Sequence, residues 1–166
     1  MKFVLSCAIV LICLVTLVLA QQAGQSALQE TSVKMSGKTI TVKYSALSTN
    51  GGQIAGKPAL FHTDSDLEVQ GLAVPKGDYA LYVLPDAKEW QLIVSKQPGA
   101  KAAALNPKME LGRVPMDMKK AGAPAGTLRM TLSSFGNVSG KLELAWENTI
   151  ASVPFNLDAL RPNVEW

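Results

Sequence analysis

His62 is the single histidine of the chain and stands in the run His62-Thr63-Asp64-Ser65-Asp66. Alternate side chains of an extended backbone share a face, so residues 62, 64 and 66 would project together. An imidazole with two carboxylates is a donor set for a divalent metal. An imidazole steered by Asp64 could also act as a general base in a metal-assisted hydrolysis. The competing reading is a polar passage from strand to loop, with the aspartates capping turns and His62 in solvent. Met116-Asp117-Met118, with Met109 close by in sequence, is the second candidate. Thioethers are soft ligands that suit Cu(I) and would point to copper handling. Otherwise they are flexible fillers of irregular core gaps.

Several chemistries are excluded by residue type. Both cysteines, Cys7 and Cys13, lie in the first twenty residues. Met1-Lys2 is a short basic start, residues 3–19 are almost wholly apolar, and Val18-Leu19-Ala20 precedes Gln21-Gln22. This is the layout of a secretory signal peptide, helical in its apolar part, with cleavage expected after Ala20 or nearby. Uncleaved, the same segment would anchor the chain to a membrane; a full span needs ~20 apolar residues. Removal leaves a cysteine-free chain, without disulfides, thiol nucleophiles or Cys-ligated metals. No Gly-x-Ser-x-Gly elbow is present, and a Ser-His-Asp triad would have to use His62. Glu143 and Glu147 fall on the outward face of a strand, which suits solvated acids better than a glycosidase pair. The formal charge is +3 for the whole chain and its cations are scattered, Lys119-Lys120 being the only adjacent basic pair. Nucleic-acid binding asks for a basic stripe or patch, so no such partner is expected.

The elements that must carry these residues show period-2 alternation. Residues 21–30 read as a flexible lead-in and 31–160 as one domain, followed by a polar tail over 161–166. Ile40, Val42 and Tyr44 alternate with Thr39, Thr41 and Lys43, and Ser36-Gly37 before them is a turn, so residues 31–35 are expected to pair as a hairpin. Residues 66–69 suggest a short strand closed by Gly71. Residues 79–84 are apolar on both faces, as in a central strand, and 90–95 return from the turn at 85–89. Tyr82, opposite Tyr79 and Leu81, must either meet a second buried layer or lie exposed as a contact for sugar rings or a partner protein. Residues 97–126 hold four prolines and four glycines. They read as a long loop with a short helix at 100–105 and a short strand at 111–116. Strands resume at 127–132, 141–146 and 149–157, the last with Pro154, which favours an edge. Short strands at regular spacing predict an all-β antiparallel sandwich, immunoglobulin-like or jelly-roll-like, its strand order undetermined by hydrophobic pattern alone.

Val-Pro-Lys-Gly-Asp-Tyr-Ala-Leu-Tyr-Val-Leu-Pro (74–85), Glu-Trp-Gln-Leu-Ile-Val-Ser-Lys (89–96), Leu-Glu-Leu-Ala-Trp-Glu (142–147) and Val-Pro-Phe (153–155) together resemble a bacterial envelope family, domain of unknown function 2911. Residues 38–45 resemble its early strand. The resemblance implies a secreted β-domain and no particular reaction. Members usually carry a Trp-Arg-Thr-Gly-Ala-Asn-Glu-like segment upstream of the glycine–tyrosine block. Residues 48–65 have no tryptophan or arginine, which marks a divergent branch. The function expected is a non-catalytic binding or structural module of the cell envelope, without a cofactor, its partner an envelope protein or glycan.

Overall fold

The computed structural model describes residues 28–47, 58–97 and 105–157. The signal segment with Ala20, residues 21–27 of the lead-in, the helix expected at 100–105 (all but Leu105) and the 161–166 tail lie outside them.

Among the described residues nine strands follow one another: β1 (Leu28–Met35), β2 (Lys38–Ser45), β3 (Ala59–Thr63), β4 (Leu67–Val69), β5 (Leu72–Val74), β6 (Gly77–Leu84), β7 (Trp90–Ser95), β8 (Glu110–Phe135) and β9 (Ser139–Leu157). A 3₁₀ turn, Pro107–Met109, precedes β8 and is capped by the Asn106 side chain. Every pairing is antiparallel, in the order β1-β2-β3-β6-β7-β8-β9-β4-β5. The all-β antiparallel expectation therefore holds among the described residues.

The sheet folds over on itself through β8. Its first part pairs with β7 from Glu110 to Met116, and from Asp117 onward it pairs with β9. Its later part lies against the first strands. Leu128 N donates to Leu47 O (2.8 Å), Tyr44 Oη to Met130 O (3.3 Å) and Leu132 N to Thr31 Oγ1 (3.1 Å). The inward residues of both layers, among them Ile40, Val42, Leu81, Leu92, Leu144 and Val153, close into one core. Tyr82 belongs elsewhere. With Ala80 and Ile93 it is buried on the opposite side of β6 and β7, under Leu84 and Leu105. The second buried layer is thus the outcome for this residue.

Three sequence expectations are corrected. Leu28–Glu30, assigned to a flexible lead-in, open β1. Residues 110–126, expected to be mostly loop, are strand, and the segments expected at 111–116 and 127–132 are parts of β8. Likewise 141–146 and 149–157 are one strand, β9. The short strands β3 and β5 were not anticipated.

The proline and glycine signals are set by where β8 meets and leaves β9. The β8–β9 ladder stops at Asp117 opposite Ser152. Continued in register, it would set Pro115 against Pro154, neither of which has an N–H to donate. Beyond that point β9 changes partner and pairs with β4 from Phe155. The stretch Ala121-Gly122-Ala123-Pro124-Ala125-Gly126 forms a corner. Lys120 pairs with Thr149 and Arg129 with Ala145, so nine steps along β8 match four along β9. The surplus residues bulge outward and bend the ribbon between layers. Glu147, on the inside of the bend, takes a left-handed φ of 50°.

Candidate functional site

Cross-strand register assembles the site on the outer face of β1, β2, β3 and β6. Thr41 of β2 stands opposite His62 of β3, and His62 opposite Asp78 of β6. One step along, Glu30 pairs with Lys43 and Lys43 with Leu60. Each strand points the alternate residue inward, so Val42, Phe61 and Tyr79 are buried beneath this face.

Both ring nitrogens of His62 are engaged. Nδ1 lies 2.7 Å from Asp78 Oδ1 and Nε2 lies 3.0 Å from Asp64 Oδ1. Asp64 is held in turn by Thr39, whose N–H donates to Asp64 Oδ2 (3.1 Å) and whose carbonyl accepts from Asp64 N (3.0 Å). The bend at Asp64-Ser65 is fixed by buried Thr63, whose hydroxyl donates to Ser65 O (2.6 Å) and accepts from Ser65 N (3.2 Å). The hydrogen bond to Asp78, then that to Asp64, raises the His62 pKa above its ordinary value. The same imidazole, then the Thr39 amide, lowers that of Asp64. An imidazolium donating from both nitrogens has no lone pair with which to accept a proton or bind a cation.

Asp66 takes no part in this cluster. Its Oδ1 accepts from Lys76 N at 2.7 Å and ties the β3–β4 connection to the β5–β6 turn. The extended backbone that would align residues 62, 64 and 66 ends at Thr63. The structure therefore joins His62 to Asp64 and directs the third member of the expected metal set elsewhere. Among the described residues no three His, Cys, Asp or Glu side chains are grouped so as to hold a metal ion. Met116 is a core residue of β8, 4 % exposed, and Met118 lies nearer the surface at 37 %. The Met-x-Met pair is thus part of a strand rather than a loop. Glu143 does face outward, bonded to Lys141 Nζ (3.0 Å), with Lys119 Nζ at 3.7 Å.

Beside the His62 cluster lies an open groove of about 510 Å³, lined by Glu30, Thr41, Lys43, Leu60, His62 and Asp78 together with buried-strand atoms of Phe61 and Tyr79. Lys43 Nζ and Glu30 Oε2 are 3.2 Å apart along one side. Leu60 is an exposed apolar side chain at 38 %. Alternation alone puts Thr41 and Lys43 on the outer face. Asp78, Glu30 and Leu60 could not be found from the sequence, because only strand order and register make them neighbours of His62.

The clasp predicts a pH response. The raised pKa of His62 means its contribution to stability is complete below the unfolded value near 6.5 and is lost as pH rises through the folded value. The lowered pKa of Asp64 means its share is present above the unfolded value near 3.8 and is lost on acidification below it. Relative to His62→Gln, the melting temperature of the native chain should fall between pH 6 and 8, by no more than about 3 °C because the groups are exposed. Identical profiles for the two proteins would show that the clasp is not formed in solution.

A folded-over antiparallel β-sheet with a groove on its outer face defines the class of domain. Residues 26–155 match the family described as Protein of unknown function (DUF2911), and the chain belongs to that family. No curated protein and no solved structure matches the chain.

Proposed function

We propose that this protein is a non-catalytic binding module of the bacterial cell envelope, carried across the membrane under the direction of Met1–Ala20 and engaging its partner through the groove beside His62. The observation that supports this reading most is the groove itself. Its volume of about 510 Å³ lies within the range of about 300–1,000 Å³ usual for small-molecule sites. Its one histidine has both nitrogens committed to carboxylates, which suits recognition better than proton transfer. The apolar N-terminal stretch supports export, and an uncleaved segment 3–19 would make the same module membrane-anchored.

The alternative is a divalent-metal protein or metal-assisted hydrolase. It would use His62, Asp64 and Asp66, of which His62 and Asp64 are in contact and Asp66 is bonded to Lys76 N instead, and it makes the opposite forecast. Protein purified without chelator is expected to contain no stoichiometric metal, and its N-terminus is expected at Gln21 in the periplasmic fraction. One equivalent of a divalent metal, lost in His62→Ala, would replace the binding module with a metal protein. Copper lost in Met116→Leu/Met118→Leu would do so in favour of copper handling. A chain retaining Met1 in the membrane fraction would overturn the periplasmic assignment.

A further inference from the structure

Resting on the binding-module reading, we infer that the groove takes a neutral, polyhydroxylated ligand: a sugar unit of an oligosaccharide. The first argument is charge. The ionic groups that line the groove already have partners of opposite sign. Lys43 is 3.2 Å from Glu30, and His62 lies between Asp78 at 2.7 Å and Asp64 at 3.0 Å. An anionic ligand would have to displace a carboxylate from Lys43 or His62. A hydroxyl need not, because it both donates and accepts. It can meet the free lone pairs of Glu30 and Asp78 and the remaining N–H groups of Lys43 without removing the partner of either charge.

The second argument is the distribution of polar and apolar groups. Two neighbouring rungs of the sheet make the site. One runs Glu30, Lys43, Leu60 and the other runs Thr41, His62, Asp78. Thr41 contributes a hydroxyl beside the two ionic clusters. Leu60 contributes exposed apolar surface on the same face. A sugar ring has this division built in, with hydroxyls around its rim and C–H groups on its faces. A ring lying over Leu60 would bury C–H surface while its rim reaches Lys43, Glu30, Thr41 and Asp78.

Residues on the two rungs differ from the core beneath them, so their variants test the ligand rather than the fold. Thr41→Val keeps shape and strand preference and removes only the hydroxyl. Leu60→Ser removes the apolar contact at an exposed position. The full chain, labelled with ¹⁵N, would be titrated with maltohexaose, xylohexaose and chitohexaose, and in parallel with hexalysine and hexaglutamate. At least one sugar should shift amide signals around residues 41, 43, 60, 62 and 78. Its affinity should fall roughly tenfold in each variant, with the amide spectrum of each variant still that of a folded chain. Sugar binding that is indifferent to both variants would overturn the inference. Peptide shifts at these residues without sugar shifts would overturn it too, while leaving the binding module in place. No shift with any probe would overturn the inference and remove the groove as support for the binding module.

Discussion

Leu144→Ala is expected to lower the unfolding free energy by about 2–5 kcal/mol. Leu144 has no solvent exposure and lies midway along the first half of β9, opposite Met130. Its side chain is part of the surface that the folded-over ribbon lays on the first layer. Truncation leaves a cavity lined by side chains of both layers, and neither can shift inward without disturbing its ladder. For a domain of this size the melting temperature should drop by roughly 10–20 °C, a large part of the 5–15 kcal/mol typical of a whole domain. Glu143→Ala, one residue earlier and facing outward, should change stability by less than about 1 kcal/mol. Urea denaturation of the two variants checks both. A loss below about 1 kcal/mol for Leu144→Ala would mean that the ribbon does not close over the first layer.

Gly140→Ala should destabilise by about 1–3 kcal/mol through overpacking. A Cβ at Gly140 would run into the Phe155 ring and come within 2.8 Å of the Ser133 carbonyl oxygen. The ring belongs to the far end of the same strand, brought back by the bend at Glu147. Leu157 N, two residues on, donates to Val138 O at 2.7 Å. The carbonyl is part of the β8–β9 ladder and cannot yield cheaply. Gly112→Ala is the contrasting case. There a Cβ would meet Leu72 Cδ1 at 2.5 Å, the tip of a flexible side chain on a three-residue edge strand. Its cost should stay below about 1 kcal/mol. Combining Gly140→Ala with Phe155→Leu should recover part of the loss, because the ring is then gone. If Gly140→Ala costs no more than Gly112→Ala, the approach of Phe155 to Gly140 is wrong.

Which parts of this structure could be read from residues alone follows from the range of the interactions. Ile40, Val42 and Tyr44 alternate with polar neighbours, and all three are buried in β2 as their spacing requires. The hairpin across Ser36-Gly37 and the short strand before Gly71 are equally local, and both are present. β8 is the opposite case. Its prolines and glycines are ordinary loop signals, yet Pro115 falls where the β8–β9 ladder has already ended and Gly112 lies under Leu72. Only the placement of β9 and β5 explains them. The site divides in the same way. His62 and Asp64 are two residues apart and meet, as alternation suggests. Asp78, sixteen positions on, is the closer partner of the imidazole. That contact depends on β6 pairing with β3 while β4 and β5 leave for the other layer.

The closing contacts between Thr31 and Leu132 and between Ser36 and Asn137 each span 101 positions. A chain made from its N-terminus at ~5–20 residues per second must therefore wait several seconds for the segment that covers its first two strands. Until then the inner faces of β1 and β2 lack the layer that β8 lays over them. Contacts of such long separation also make for slow folding, on the scale of milliseconds to seconds. The two ends of the described chain therefore depend on each other for their cover, and a truncation that removed Leu132 and Asn137 would leave Thr31 and Ser36 without these partners.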